Sequence, residues 1–309
     1  MHGVLVIDKP GGLSSTTVVD KVRRALGGVK AGHGGTLDPI ATGVLPICLG
    51  SGTKIAQFLL ADDKAYEAEG LLGVTTDTLD RTGRVLDERP VDAALGRDAV
   101  LAVLARFTGE LDQVPPMYSA IKLGGQRLYH AARAGQDVER APRRIRIDRL
   151  ALVDFAPPRF RIAVDCSKGT YIRSLVADIG EALGPGAHLT ELRRTRSGRF
   201  TLADAVALDA LDPGKLIPVA EATDLPRLAV TDPELVAMIF NGLQLPVEAF
   251  GAAGLARFQL NDGQGRLLAV AHPEDGRTVY DRAFPELSRA SHAASAPVNA
   301  PANHPASGA

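Results

Sequence analysis

Tryptophan is absent from the 309 residues and aromatic side chains make up only 5% of them, so an aromatic standing in a polar stretch calls for a reason. Cysteine is nearly as scarce. Cys48 and Cys166 lie far apart in unlike contexts, offer neither a disulfide framework nor a CxxC pair, and point to a reducing compartment. No uninterrupted apolar run is long enough to cross a bilayer, and the opening MHGVLVIDKP reads as a buried strand running into a turn rather than as a signal segment. The expected setting is cytoplasmic, with no membrane contact. None of the seven histidines pairs with another histidine or a cysteine at ligand spacing, which argues against zinc. GGVKAGHGG is not a phosphate-binding P-loop, and neither a GxGxxG after a strand nor a GxSxG elbow occurs. The chemistry expected is therefore free of metal and cofactor.

What is present is unevenly spread. The net charge is −1, yet RAPRRIRIDR (140–149) and RRTRSGR (193–199) concentrate arginine. Either run alone reads as well as a solvated face. Together, beside a polar substrate site, Arg143, Arg144, Arg193 and Arg194 suit a phosphate backbone.

VLVIDKP (4–10) reads as a strand. Ser14 or Ser15 caps a helix with Val18, Val19, Val22, Ala25 and Leu26 on one stripe, ended by Gly27-Gly28. Asp38-Pro39 looks like a second helix start, because proline suits the first helical position and aspartate the cap. Further on, 65–73 reads as a strand and VTTDTLDRTGRV as a polar turn. A helix is expected over about 92–107, with Val100, Leu101, Val103, Leu104 and Phe107 inward. Residues 113–135 open as a proline-fixed extended segment and finish as a helix from about Leu128, forming a projecting element. Strands at 143–155 and 160–169 precede a helix at 171–183. Strands and helices alternate without a regular βαβ period, which favours a mixed-sheet α/β or α+β domain. Periodicity fails at 212–226, a plausible linker to a small module with a helix at 231–240 and a hairpin around Asn261-Asp262-Gly263. Beyond about Leu287 the Ala, Ser, Pro and Asn composition predicts a disordered tail.

The glycine-rich run AGHGGTLDPIATG (31–43) holds the leading candidate for chemistry, Asp38. It reads equally as a helix cap or as a reactive carboxylate, and the glycines let a large ligand come close. Next to amides and an arginine it is expected to stay ionised at neutral pH, as a nucleophile or base requires. His33, on the same loop, can stack or donate a hydrogen bond, or be an ordinary surface histidine. Arg173, in GTYIRSL with Tyr171, would sit in the first turn of a helix, where the dipole disfavours a cation. A buried carboxylate would offset that placement, and Asp38 is the natural partner. The bland alternative is a simple salt bridge.

Six segments then closely resemble the bacterial TruB family, the tRNA pseudouridine-55 synthases. They are GVLVIDKPGGLSS, GHGGTLDPIATGVLP, KAYEAEGLLGVTTDTLDRTG, VPPMYSAIKLGGQRLYHAARAG, KGTYIRSLVADIG and LRRTRSGRF, in the family's order across residues 3–200. The resemblance implies a pseudouridine-synthase catalytic domain of α+β class with a mixed, largely antiparallel sheet (1–225), carrying an RNA-contacting insertion at about 113–142. It implies a small β-rich, PUA-like domain at 226–286, followed by the tail 287–309. The activity implied is isomerisation of one T-loop uridine of tRNA, with no metal or cofactor, by a protein expected to be a monomer. Asp38 matches the family's essential aspartate and Arg173 the arginine that pairs with it. Tyr66 matches the tyrosine that stacks on the base and assists the final proton removal. His33 matches the histidine supporting the reorganised RNA loop, Leu192 an apolar contact to the base, and Tyr171 stands beside Arg173 as further support. Tyr118, Lys122, Arg127, Tyr129, Arg143, Arg144, Arg193 and Arg194 are the expected RNA-facing set, and Lys9, which matches a lysine of the strand-end motif, is expected to be structural or RNA-facing rather than catalytic. Two other readings remain: a tRNA-folding chaperone without essential catalysis, and an aspartate-dependent nucleoside hydrolase.

Overall fold

The first apolar run becomes a central strand because both of its faces are covered. In the computed structural model, β1 (Gly3–Lys9) is buried along almost its whole length. Ser14 caps the helix Ser15–Ala25 by accepting from the Thr17 N–H at 3.0 Å, and that helix buries Val18, Val19 and Val22. β2 (Ala31–His33) and then β3 (Thr42–Leu49) follow, β3 lying antiparallel to β1 with Val6 opposite Pro46. The structure describes residues 1–119, 122–123, 126–127 and 138–289.

β4 (Lys64–Leu72) leads through β5 (Val74–Thr76) into β6 (Val85–Glu88), so the expected polar turn is the tip of a short ladder. The next helix spans Arg97–Arg106 and buries Val100, Val103 and Leu104. Leu101, expected inward, is exposed. β7 (Gly109–Gln113) leads into the stretch expected to project, of which the two-residue strands β8 (Lys122–Leu123) and β9 (Gln126–Arg127) are described. The helix expected from Leu128 lies outside the described residues. β10 (Arg143–Ala156) and β11 (Arg159–Cys166) form a long hairpin, the helix Ile172–Leu183 follows, and β12 (Ala187–Ser197) returns through the middle of the sheet. β13 (Phe200–Thr201) and β14 (Val206–Ala207) complete ten strands, with main order β14-β1-β3-β12-β4-β11-β10-β7. The β1–β14 and β3–β12 pairs are parallel and the rest antiparallel, so the sheet is mixed. The helix Ile172–Leu183 lays Ile172, Leu175, Val176 and Ile179 into its core.

The chain divides into two compact units at Ile217/Pro218, inside the aperiodic stretch. In the second, β15 (Arg227–Val230) is parallel to β16 (Phe258–Asp262). β17 (Leu267–Glu274) and β18 (Arg277–Ala283) then extend the sheet antiparallel around Phe258, Leu260, Ala269 and Ile239. Residues 287–289, assigned to the tail, close a short helix Pro285–Arg289, and the tail from 290 onward lies outside the described residues. No helix among the described residues is long and apolar enough to cross a membrane.

Candidate active site

Asp38 sits on a strap rather than on a helix. Pro39 and Ile40 form a turn closed by the Ala41 N–H on the Asp38 carbonyl at 3.0 Å, and the chain then enters β3. The helix start expected from Asp38-Pro39 is therefore corrected. Pairing with β1 and β12 outweighs the local capping signal, and Asp38 loses its role as a cap. Without helix or sheet partners, the strap's inward carbonyls need other donors. Ser15 supplies one clamp: its hydroxyl accepts from the Leu37 N–H at 2.8 Å and donates to the Leu37 carbonyl at 3.0 Å.

Two cations supply the others. Lys9 is 0% exposed and donates to the carbonyls of Ala41 at 2.6 Å, Pro10 at 2.9 Å and Pro39 at 3.2 Å. Arg194 is 1% exposed and donates to Val44 at 2.7 Å, Gly35 at 3.1 Å and Thr36 at 3.4 Å. The RNA-facing assignment of Arg194 is corrected, and of the two readings of Lys9 the structural one fits: both side chains are internal struts of the loop. Burial pushes the Lys9 ammonium down to about 8, although the Asp38 charge acts the other way.

Arg173 reaches Asp38 from the start of the helix Ile172–Leu183. Its Nε stands 2.9 Å from Oδ2 as an ion pair without an aligned hydrogen bond, and its Nη2 donates to Oδ1 at 3.3 Å. The remaining donors go to the Thr78 carbonyl at 2.9 Å and the Tyr118 carbonyl at 2.8 Å. A second carboxylate, Asp80, lies 3.9 Å from Nη1. Asp80 is held in turn by Thr78 Oγ1 at 2.8 Å, Thr82 Oγ1 at 2.6 Å and the Thr82 N–H at 2.9 Å. The Arg173 side chain is 5% exposed, whereas Asp38 keeps 33% of its side-chain surface open, so the carboxylate can be reached while its partner cannot.

The matches to known families cover this same stretch. Residues 23–172 match the family described as TruB family pseudouridylate synthase (N terminal domain), and residues 173–225 the tRNA pseudouridylate synthase B C-terminal domain. A tRNA pseudouridine synthase B from Pseudomonas fluorescens is 46% identical over 295 residues, covering 91% of this chain and 95% of that protein. Its counterpart from Burkholderia mallei is 48% identical over 293 residues, covering 91% and 96%. The chain belongs to the TruB family. Solved structures agree with the TruB fold. A Cbf5-Nop10-Gar1 complex aligns with TM-score 0.69 and 28% identity over 92% of this chain and 84% of that one. An H/ACA RNP bound to a substrate RNA containing 2'-deoxyuridine aligns with TM-score 0.66 and 26% identity over 91% and 83%.

In this TruB site burial lifts the Asp38 carboxyl above its ordinary value. Arg173 opposes that rise, and Asp80 adds to it. The sequence-based expectation of a simply ionised aspartate thus omits its largest influence, desolvation. Tyr66, on β4, stands opposite Arg194 of β12 in the strand register. Burial raises the phenol's pKa, Arg194 works against the rise, and the Asp38 charge also reaches it. His33 stands opposite Ile47, and burial and the Arg194 charge lower its pKa. Its Nδ1 is buried with no hydrogen-bond partner among the described residues. Leu192 is buried opposite Ala68, and it borders a cavity of about 250 Å³ shared with Ile40, Thr42 and Arg81. Tyr171 occupies the cap position before Arg173, with its phenol raised by burial.

The other expected RNA-facing residues separate by their partners. Arg144 is exposed but paired with Glu110 at 2.8 Å and Asp112 at 3.5 Å. Arg193 pairs with Asp8 at 2.8 Å. Arg143 is exposed and has no ion pair among the described residues. Tyr118 is half-buried, Lys122 and Arg127 face each other in the register of the small ladder, and Tyr129 lies outside the described residues. Sequence reasoning missed Ser15 and Asp80. In the sequence Ser15 signals only a helix cap, and Asp80 lies in a polar turn, where TDTLDRTG gives no hint of a partner elsewhere in the chain.

Proposed function

We propose that the protein isomerises one uridine in the T-loop of tRNA to pseudouridine, with Asp38 as the carboxylate that acts on the glycosidic link. The reaction balances within the RNA. The N1–C1′ bond breaks, a C5–C1′ bond forms, C5 releases a proton and N1 takes one up, so no oxidant or reductant enters. The observation that carries the reading is the Asp38–Arg173 pair: a carboxylate open on one side and gripped on the other by a buried guanidinium. The names of the relatives support the tRNA substrate.

A uridine stacked in a folded loop has to be flipped out to meet Asp38, at a cost of a few kcal/mol. Stacking on an aromatic ring returns about 1–3 kcal/mol, and Tyr66 is the ring assigned to it. Arg173 holds Asp38 oriented as water is excluded, where its charge counts for more than in bulk solvent. Arg194, opposite Tyr66 on the neighbouring strand, lends a positive charge that favours developing phenolate character as the C5 proton departs. His33 supports the opened loop, Leu192 and Tyr171 border the base, and residues of 113–142, with Arg143 and Arg193, meet the phosphates. The protein acts as a cytoplasmic monomer.

Asp38→Asn tests this directly. Wild-type protein should convert a single uridine of intact tRNA, seen as a mass-silent change that chemical marking of pseudouridine reveals in nuclease fragments. The variant should leave that fragment unmarked while binding tRNA nearly as well. Release of free uracil by the wild type would replace the isomerase with a hydrolase.

A further inference from the structure

The helix that carries Arg173 begins without a local cap. Its cap position is Tyr171, whose side chain caps no backbone N–H, and Arg173 stands at the positive end of the helix dipole. What holds this start comes from another element. Gln113, the last residue of β7, is 5% exposed and forms a closed two-bond ring with the Tyr171 backbone. The Tyr171 N–H donates to Oε1 at 2.8 Å, and Nε2 donates to the Tyr171 carbonyl at 3.0 Å. The two partners fix the amide's orientation, since only its carbonyl can face an N–H.

The fastening continues along the chain. Ser174 Oγ donates to the Val114 carbonyl at 3.1 Å, and Arg173 Nη2 donates to the Tyr118 carbonyl at 2.8 Å. Residues 113–118 are thus tied to residues 171–174 by backbone and side-chain bonds at both ends. A change in where the helix begins would swing the guanidinium that grips Asp38. Gln113 stands at the very start of the stretch assigned above to RNA contact, 113–142.

We propose that Gln113 is a positioning residue of the isomerisation: its amide sets the start of the Arg173 helix, and so the aim of the guanidinium at Asp38, and ties that aim to the base of the RNA-facing insertion. The inference rests on the pseudouridine-synthase reading. It assigns Gln113 no contact with substrate. Its effect passes through Arg173 and therefore belongs to the rate of the chemical step rather than to RNA affinity.

Gln113→Met keeps the side chain's length and removes both hydrogen bonds. Gln113→Glu keeps the acceptor for the Tyr171 N–H and loses the donor. With intact tRNA under single-turnover conditions, the Met variant should lose about 10- to 100-fold in rate, the range that a misaimed group costs. Its Kd for tRNA should stay within about 3-fold of wild type, and the Glu variant, which turns a buried carboxylate oxygen toward the Tyr171 carbonyl, should lose at least as much rate. In an Arg173→Lys background the Met substitution should add little further loss, because residues acting through one another are not additive. Circular dichroism and thermal unfolding check that each variant is folded. If the Met variant misfolds, the Glu variant carries the comparison. A folded variant at the wild-type rate, a rate loss matched by an equal loss of affinity, or full additivity with Arg173→Lys overturns the proposal. A wild type that forms no pseudouridine sinks the underlying reading, and it is seen before any Gln113 variant is compared.

Discussion

At the scale of single residues, the Asp38–Arg173 pair sets two opposed influences on one carboxyl. Desolvation favours the neutral acid and the guanidinium favours the anion, with desolvation the larger. The proposed reaction uses Asp38 as the anion, so kcat/KM should fall as pH drops through a value above the ordinary carboxylate's 3.8. Replacing Arg173 by Gln removes the influence that lowers the pKa, so in that variant the acid limb should move to higher pH as well as the plateau falling. A pH–rate profile of each protein checks the sign. A limb that stays in place would belong to another group. Lys9 and Arg194 show the opposite economy. Their charges are turned inward, and each donates to three backbone carbonyls in and beside the strap.

At the scale of elements, the glycine strap is the unusual construction. Gly43 has φ +98°, in the region that side chains avoid, and a Cβ there would run into the Arg194 backbone carbonyl where β3 crosses β12. Gly43→Ala combines backbone strain with overpacking and should cost about 1–3 kcal/mol of stability, read from the denaturant midpoint. Gly27 and Gly28 also have positive φ, yet open space surrounds the missing Cβ of each. Alanine at either should be milder in the same measurement, which separates conformational strain from a backbone clash.

At the scale of the whole molecule, a net charge of −1 leaves RNA attraction to the local placement of arginine. The 140–149 run is less uniform than its sequence suggests. Arg144 is already neutralised by Glu110 and Asp112, and Arg146 by Asp148 and Asp63, whereas Arg143 has no such partner among the described residues. Arg143→Ala should therefore weaken tRNA binding and reduce the slope of log K against log salt by roughly one phosphate contact, while Arg144→Ala should change it less. Binding titrations at several salt concentrations decide it. Equal slopes for both variants would show that the ion pairs of Arg144 open on the RNA.

The strands β1, β4, β10 and β11, the helix after Ser14 and the helix over 171–183 were legible locally, because apolar spacing and capping residues write their own geometry into the chain. So was the candidacy of Asp38, since a carboxylate in a glycine-rich run stands out, and the pairing with Arg173 followed from a cation misplaced on a helix dipole. Tertiary structure decided the rest. It made a strap of Asp38-Pro39, turned Lys9 and Arg194 inward, exposed Leu101, and brought Asp80 to Arg173 and Gln113 to the Tyr171 backbone. Each of those outcomes depends on which carbonyl or carboxylate lies nearby after the sheet has formed, and partners such as Gln113 and Tyr171, 58 positions apart, leave no periodic trace in the chain. Local pattern records what a residue does to its own backbone, and only the assembled sheet determines which distant backbone it will meet.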